Sequence, residues 1–269
     1  MKIILSRKGF DGGYGGQPSA ILPDGTLLSF PIPIPGELIK YDELFYKDKS
    51  YLEIIRELRP TSEKIQLNTT AHLDPDLRKN IYNQRSENWK PAFGQCDAAQ
   101  GALRNNQVSV NDIFLFFGWF KQTEIINGKL KYKYKSPDLH LIYGYLQIGE
   151  INKYEDIVPE YLMHHPHSAE KYKKIKSNCI YIARDELSFN ENLNGADILK
   201  YNPALVLTKK GETKSKWKLP AFFQNLKITY HNETCFKENY FQSRAKGQEF
   251  IIETNEDLLK WTKNIIENN

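Results

Sequence analysis

The hydrophobic pattern changes character along the chain, from short turn-linked segments to long apolar strands. Lys2-Ile3-Ile4-Leu5 reads as a short buried strand that runs into Ser6-Arg7-Lys8-Gly9-Phe10-Asp11 and then into the glycine-rich loop 12–16. Asp24-Gly25 marks a turn, and the Pro-Ile alternation over 31–35 is too rich in proline for an interior strand. Ser50 followed three residues later by Glu53 is a capping-box pattern; behind it Tyr51, Ile54, Ile55 and Leu58 share one helical face, and Pro60 stops the helix. Further helices are expected from Asp74-Pro75-Asp76 and over about 97–103. From Val108 the texture is strand-like. Residues 112–117 form an apolar run ending at Gly118-Trp119-Phe120, Asn127-Gly128 signals a hairpin, and residues 140–151 form a strand interrupted at Gly144. Shorter strands are expected at 178–183, 204–208, 226–230 and 249–252, followed by a closing helix capped by Thr254.

These elements predict an α+β fold: one domain over 1–269 with a mixed or barrel-like sheet flanked by helices. Its N-terminal part, 1–107, holds the glycine-rich loop and helices; its β-rich part is 108–269. The chain lacks any apolar run long enough for a membrane helix. Its first residues offer four apolar side chains and then charge, which does not suit a secretory signal. Three cysteines far apart suit neither a disulfide framework nor a zinc ribbon, so a reducing cytoplasm is the expected compartment. Lys+Arg 37 against Asp+Glu 33 leaves +4, too little to require a nucleic-acid partner, so the placement of cations matters more than their sum.

That placement singles out the first strand end. Arg7 and Lys8 are cations suited to phosphate, and the backbone N–H groups of Gly12 and Gly13 are able to form an anion nest. Asp11 beside them suits a general base, a nucleophile or a metal ligand. The spacing fits neither a P-loop nor a dinucleotide fingerprint. In Thr70-Ala71-His72-Leu73-Asp74, His72 and Asp74 project to the same side of an extended backbone and pair for acid–base work or a metal; Asp74 also suits a helix N-cap. Gln95, Asp97 and Gln100 have side chains able to contact a base edge. His164-His165-Pro166-His167 is too compressed for the usual zinc pair and reads first as a surface loop, with His165 or His167 able to make one catalytic or phosphate contact. Lys129, Lys131, Lys133 and Lys135, interleaved with Tyr132 and Tyr134, suit a nucleic-acid surface but suit a protected sheet edge slightly better. Trp119 is either core or a stacking floor for a base.

Three segments carry a resemblance to a known family: Ser6–Asp11 with its glycines and Asp24-Gly25, 112–120 with Gln100 before it, and Gly247-Gln248-Glu249-Phe250-Ile251. Together they resemble the bacterial and phage nucleotide-modification-associated domain, type 3, over nearly the whole chain. A weaker similarity is to PUA-like and EVE-type barrels that read modified bases, in which Asp112 opens an apolar strand and Gly144 centres the next. The first resemblance implies association with modified bases in DNA or with phage–host conflict. It lends weight to Ser6 and Gln100 as binding residues and to Arg184 as a second phosphate clamp. The leading expectation is an enzyme, a transferase or hydrolase, acting on a nucleotide or nucleobase, free or in DNA. Arg7 and Lys8 would hold phosphate, with Asp11, His72 and Asp74 catalytic. Its rivals are a non-catalytic reader of modified bases and a protein that sequesters a small nucleotide. No nicotinamide, flavin or iron–sulfur signature is present; the cofactor stays unknown, with a divalent metal admitted through Asp11 or Asp74.

Overall fold

A computed structural model describes residues 1–269. Its centre is a ten-stranded mixed sheet whose main path runs Glu249–Glu253, Lys2–Arg7, Ile113–Ile126, Leu139–Lys153, Cys179–Ala183, Ala92–Gln95. Lys2–Arg7 pairs parallel to Ile113–Ile126 and antiparallel to Glu249–Glu253; the remaining pairs on this path are antiparallel. The two ends of the path do not meet, so of the mixed and barrel-like alternatives the sheet is the mixed, open one.

The apolar strand does not stop at Gly118 but continues to Ile126, because its first half is enclosed by neighbours on both sides and its second half gains new ones. Ser19–Ile21 joins it in parallel at Phe120–Gln122, and the hairpin strand Lys129–Tyr132 returns along its far end. Asn127 and Gly128 both have positive φ, the tight hairpin turn their sequence predicts. Leu139–Lys153 runs unbroken through Gly144. Opposite it the register slips between Phe116 and Phe117, and a Cβ on Gly144 would stand 2.9 Å from the carbonyl of Asp197 on the adjoining strand Ala196–Ile198.

Three α-helices pack around this sheet. α1, Tyr51–Leu58, starts with the reciprocal Ser50–Glu53 capping box and buries Tyr51, Ile54, Ile55 and Leu58 as its pattern requires. α2 is Asp97–Asn105 and α3 is Glu256–Glu267. The cap of α3 is Asn255, whose side chain accepts from the Leu258 N–H; Thr254 instead donates to the Met1 carbonyl. No helix forms at Asp74–Asp76. Asp76 exchanges backbone hydrogen bonds with Ala92, which holds this segment extended against the sheet. Residues 204–208 and 226–230 form no strands: Pro203–Leu205 is a 3₁₀ turn, and only single bridges attach Val206 and Ile228 to the sheet.

The side chains pack into two main cores. The larger spans the central sheet and α3; the smaller gathers Phe10, Phe30, Tyr41, Leu73 and the apolar face of α1. Their meeting line runs past the C-terminal end of Lys2–Arg7, and a cleft opens there. No helix is long and apolar enough to cross a membrane.

Candidate functional site

The cleft encloses about 780 Å³, a size suited to a ligand of nucleotide dimensions. One wall comes from the smaller core and carries His72 and Asp74. The floor carries Gln95, Cys96 and His167, and the opposite wall carries Arg7, Lys8, Trp119, Lys214 and Arg244.

His72 ends the short strand Thr70–His72, which pairs with Ile32–Pro33. Its Nδ1 lies 2.9 Å from Glu37 Oε1, which also accepts from the Tyr172 hydroxyl at 2.9 Å and pairs with Lys171. Burial alone would raise the Glu37 carboxyl, but the bonds from His72, Lys171 and Tyr172 outweigh it and hold the group below its ordinary value. Asp74 is buried but reaches the cleft. Its Oδ1 accepts from the Gly94 N–H at 2.7 Å and lies 3.3 Å from His165 Nε2, off the line of a good hydrogen bond. Burial pushes this carboxyl up, yet the three surrounding histidines prevail, so it stays ionised with a value well below the usual carboxylate range.

His165 and His167 are buried, contrary to their reading as a surface loop. Pro166 starts a 3₁₀ turn in which His165 Nδ1 caps the His167 N–H, and the turn packs inward against Gly94. His167 Nδ1 lies 2.6 Å from Asn178 Oδ1, while Asn178 Nδ2 donates back to the His167 carbonyl. The amide orientation therefore places the His167 proton on Nδ1. Burial drives His167 strongly toward its neutral form. Gly94 makes the approach feasible: a Cβ there would stand 2.2 Å from His167 Cδ2. His72, Asp74 and His167 can each direct one ligand atom so that all lie within 4.8 Å of one another. They could hold a metal ion.

On the opposite wall the expected phosphate grips are partly committed to the protein. Arg7 donates to the backbone carbonyls of Arg244 and Ala245, stacks beside Phe250 and has a lowered pKa from burial; its guanidinium pins the loop that closes the cleft. Lys8 pairs at 2.9 Å with the fully buried Glu249, which Gln95 also contacts. The less committed cation is Lys214, whose ammonium sits 4.0 Å from the centre of the Trp119 ring; Arg244 is exposed, but its guanidinium donates to Cys235 Sγ and Asn232 Oδ1. Trp119 is half-buried and faces the cleft, whereas Phe120 is core.

The glycine loop also differs from the nest expected. Asp11 Oδ1 accepts from the N–H groups of Gly13 and Tyr14, so the protein's own carboxylate fills the nest, and Lys64 covers the carbonyls of Gly12 and Gly13. Asp11 reaches the cleft; Gly12 and Gly13 remain exposed outside it. Ser6 is buried within its strand with no partner for its hydroxyl. Gln100 accepts from the Tyr181 hydroxyl away from the cleft, and Arg184 binds Asn111 and the Glu186 carbonyl at a separate surface depression. His165 backs Asp74 without lining the cleft. Asp76 is likewise spent on structure, bonded to Arg85 and Trp89.

Sequence reasoning did not reach Glu37, Asn178, Tyr172, Lys214 or Arg244, since each becomes meaningful only through a contact distant in the chain. Cys96 lines the cleft, but burial and Asp97 push its thiol up to about 12, which removes it as a thiolate nucleophile at neutral pH. His140 is also there, driven down to about 3 by burial and accepting from Trp217 Nε1.

No curated protein and no solved structure matches the chain. A family model described as nucleotide modification associated domain 3 matches residues 2–253, which takes in every strand, the cleft and both of its walls. The chain belongs to the family of nucleotide modification associated domain 3.

Proposed function

We propose that the cleft binds a nucleotide or nucleobase, free or within DNA, and catalyses a transfer or hydrolysis step on it in nucleotide modification. One observation carries this reading: a single cleft joins a buried histidine–aspartate cluster to a rim of cations and an indole ring. Lys214 and Arg244 would meet phosphate, supported by Arg7 and Lys8, and Trp119 would stack on the base. Asp74 and His72 would act at the reacting atoms, since a carboxylate kept ionised beside an imidazole suits either proton exchange or the holding of a metal ion there. Asp11, fixed by the glycine loop, would stand at the mouth as a further carboxylate.

The test pairs binding with product analysis. Deoxynucleoside monophosphates and single- and double-stranded oligonucleotides are titrated calorimetrically, and the incubated nucleosides are resolved by mass spectrometry. Trp119→Ala should weaken binding about 5- to 150-fold, the worth of one base–aromatic stack. Asp74→Asn should keep binding and lose product. Absence of binding to all of these ligands would overturn the nucleotide reading. Tight binding with no product, or unchanged product from Asp74→Asn, would overturn the catalytic one.

A further inference from the structure

We infer that His72, Asp74 and His167 form a binding site for one divalent transition-metal ion, of the Zn²⁺ or Fe²⁺ class, open to the cleft. The inference stands apart from the identity of the organic ligand. It rests on how the three side chains are aimed. His72 turns Nδ1 toward Glu37, which leaves Nε2 as its ligating atom, and this atom lies 3.9 Å from Asp74 Oδ2. With its proton on Nδ1 facing Asn178, the neutral His167 ring likewise keeps a lone pair on Nε2. The Gly94 N–H bonds Asp74 through Oδ1, so the Oδ2 oxygen stays on the side of His72.

Each ligand thus has its rear atom tied down and its front atom free, the arrangement that metal-binding histidines require of their supporting partners. Glu37 and Asn178 are both buried, and Glu37 is itself fixed by Tyr172 and Lys171. Ligand atoms around a tetrahedral ion at about 2.1 Å lie about 3.4 Å apart, so the 3.9 Å between His72 Nε2 and Asp74 Oδ2 needs only a small contraction. Two imidazoles with one carboxylate suit zinc or non-haem iron, whereas magnesium and calcium prefer all-oxygen shells. Three protein ligands leave positions vacant on an ion that faces the cleft, as in catalytic rather than closed structural sites.

The experiment uses the tag-free full chain stripped of metal and titrated with Co²⁺, followed by its visible absorption, and then with Zn²⁺ in competition. The expected result is one Co²⁺ per chain, displaced by Zn²⁺ and not by millimolar Mg²⁺. X-ray absorption of the Zn²⁺ form should show two imidazoles. Because the ligands are buried, Glu37→Gln and Asn178→Ala serve beside His72→Ala and His167→Ala. The supporting changes should weaken affinity about 10- to 100-fold and the ligand changes more. The inference is overturned if the wild-type chain takes up no Co²⁺ or Zn²⁺, if Mg²⁺ competes on equal terms, or if His72→Ala and His167→Ala bind as the wild type does.

Discussion

Replacing Gly94 by alanine tests whether the fit between the strand Ala92–Gln95 and His167 holds the cleft floor together. The added Cβ would lie 2.2 Å from His167 Cδ2, 2.3 Å from Cγ and 2.8 Å from Cβ. An unstrained carbon contact is about 3.5 Å or more, so the ring must retreat by roughly 1.3 Å. It has little freedom to do so. Asn178 holds it from both its Nδ1 and its carbonyl, and Tyr172 stacks on it with 4.4 Å between ring centres. Overpacking of this kind costs about 1–3 kcal/mol, which for a chain of this size lowers Tm by roughly 2–12 °C. The same shift would move the His167 ring within its cluster with His72 and Asp74, so Co²⁺ affinity should fall together with Tm. Gly101→Ala is the control: nothing lies within 4 Å of its Cβ position on α2, and it should raise stability by about 0.5–1 kcal/mol. Differential scanning calorimetry reads both variants. Should Gly94→Ala melt within about 1 °C of the wild type and keep its Co²⁺ affinity, the packing argument is wrong.

Glu249→Gln should destabilise the chain by about 3–5 kcal/mol in urea denaturation, because it breaks a nearly enclosed ion pair by removing one partner; unchanged stability would show that the pair does not support the strand end. A pH effect follows from His140, whose folded value of about 3 lies below the unfolded 6.5. The unfolded chain binds the extra proton first, so this contribution is complete above about pH 6.5 and is lost as the pH falls toward 3, about 2 kcal/mol of it by pH 5. His140→Phe, in which Trp217 keeps its bond to the Lys214 carbonyl, should flatten the stability profile between pH 7 and pH 5; a slope equal to that of the wild type would refute the assignment.

Local signals were legible wherever a residue acts on its near neighbours. The Ser50–Glu53 box, the Asn127-Gly128 turn and the apolar face of α1 satisfy hydrogen bonds and bury surface within a few residues of themselves. The same logic failed where a distant partner competed. Asp74 looked like a helix cap, but Asp76 pairs with Ala92 across the sheet and holds the segment extended. Thr254 looked like the cap of α3, but it is taken by the Met1 carbonyl and Asn255 serves instead. The histidine run read as surface because nothing near it in sequence explains its burial; the explanation is Gly94, whose missing side chain admits the His167 ring.

The candidate site divides along the same line. His72, Asp74, His167, Arg7, Lys8, Asp11 and Trp119 could each be picked out by residue type and position, and the family match covers all of them. What the linear order alone determined was therefore the fold class, the family and a set of candidate residues. Tertiary structure decided which of them meet. It gathered His72 at a strand end, Asp74 just beyond it and His167 on a 3₁₀ turn packed against Gly94, and it set Arg184 and Gln100 apart. It also committed Lys8 to Glu249 and Asp11 to its own loop. The physical reason is that charge, hydrogen-bond direction and lone-pair aim are properties of contacts, and these contacts are long-range.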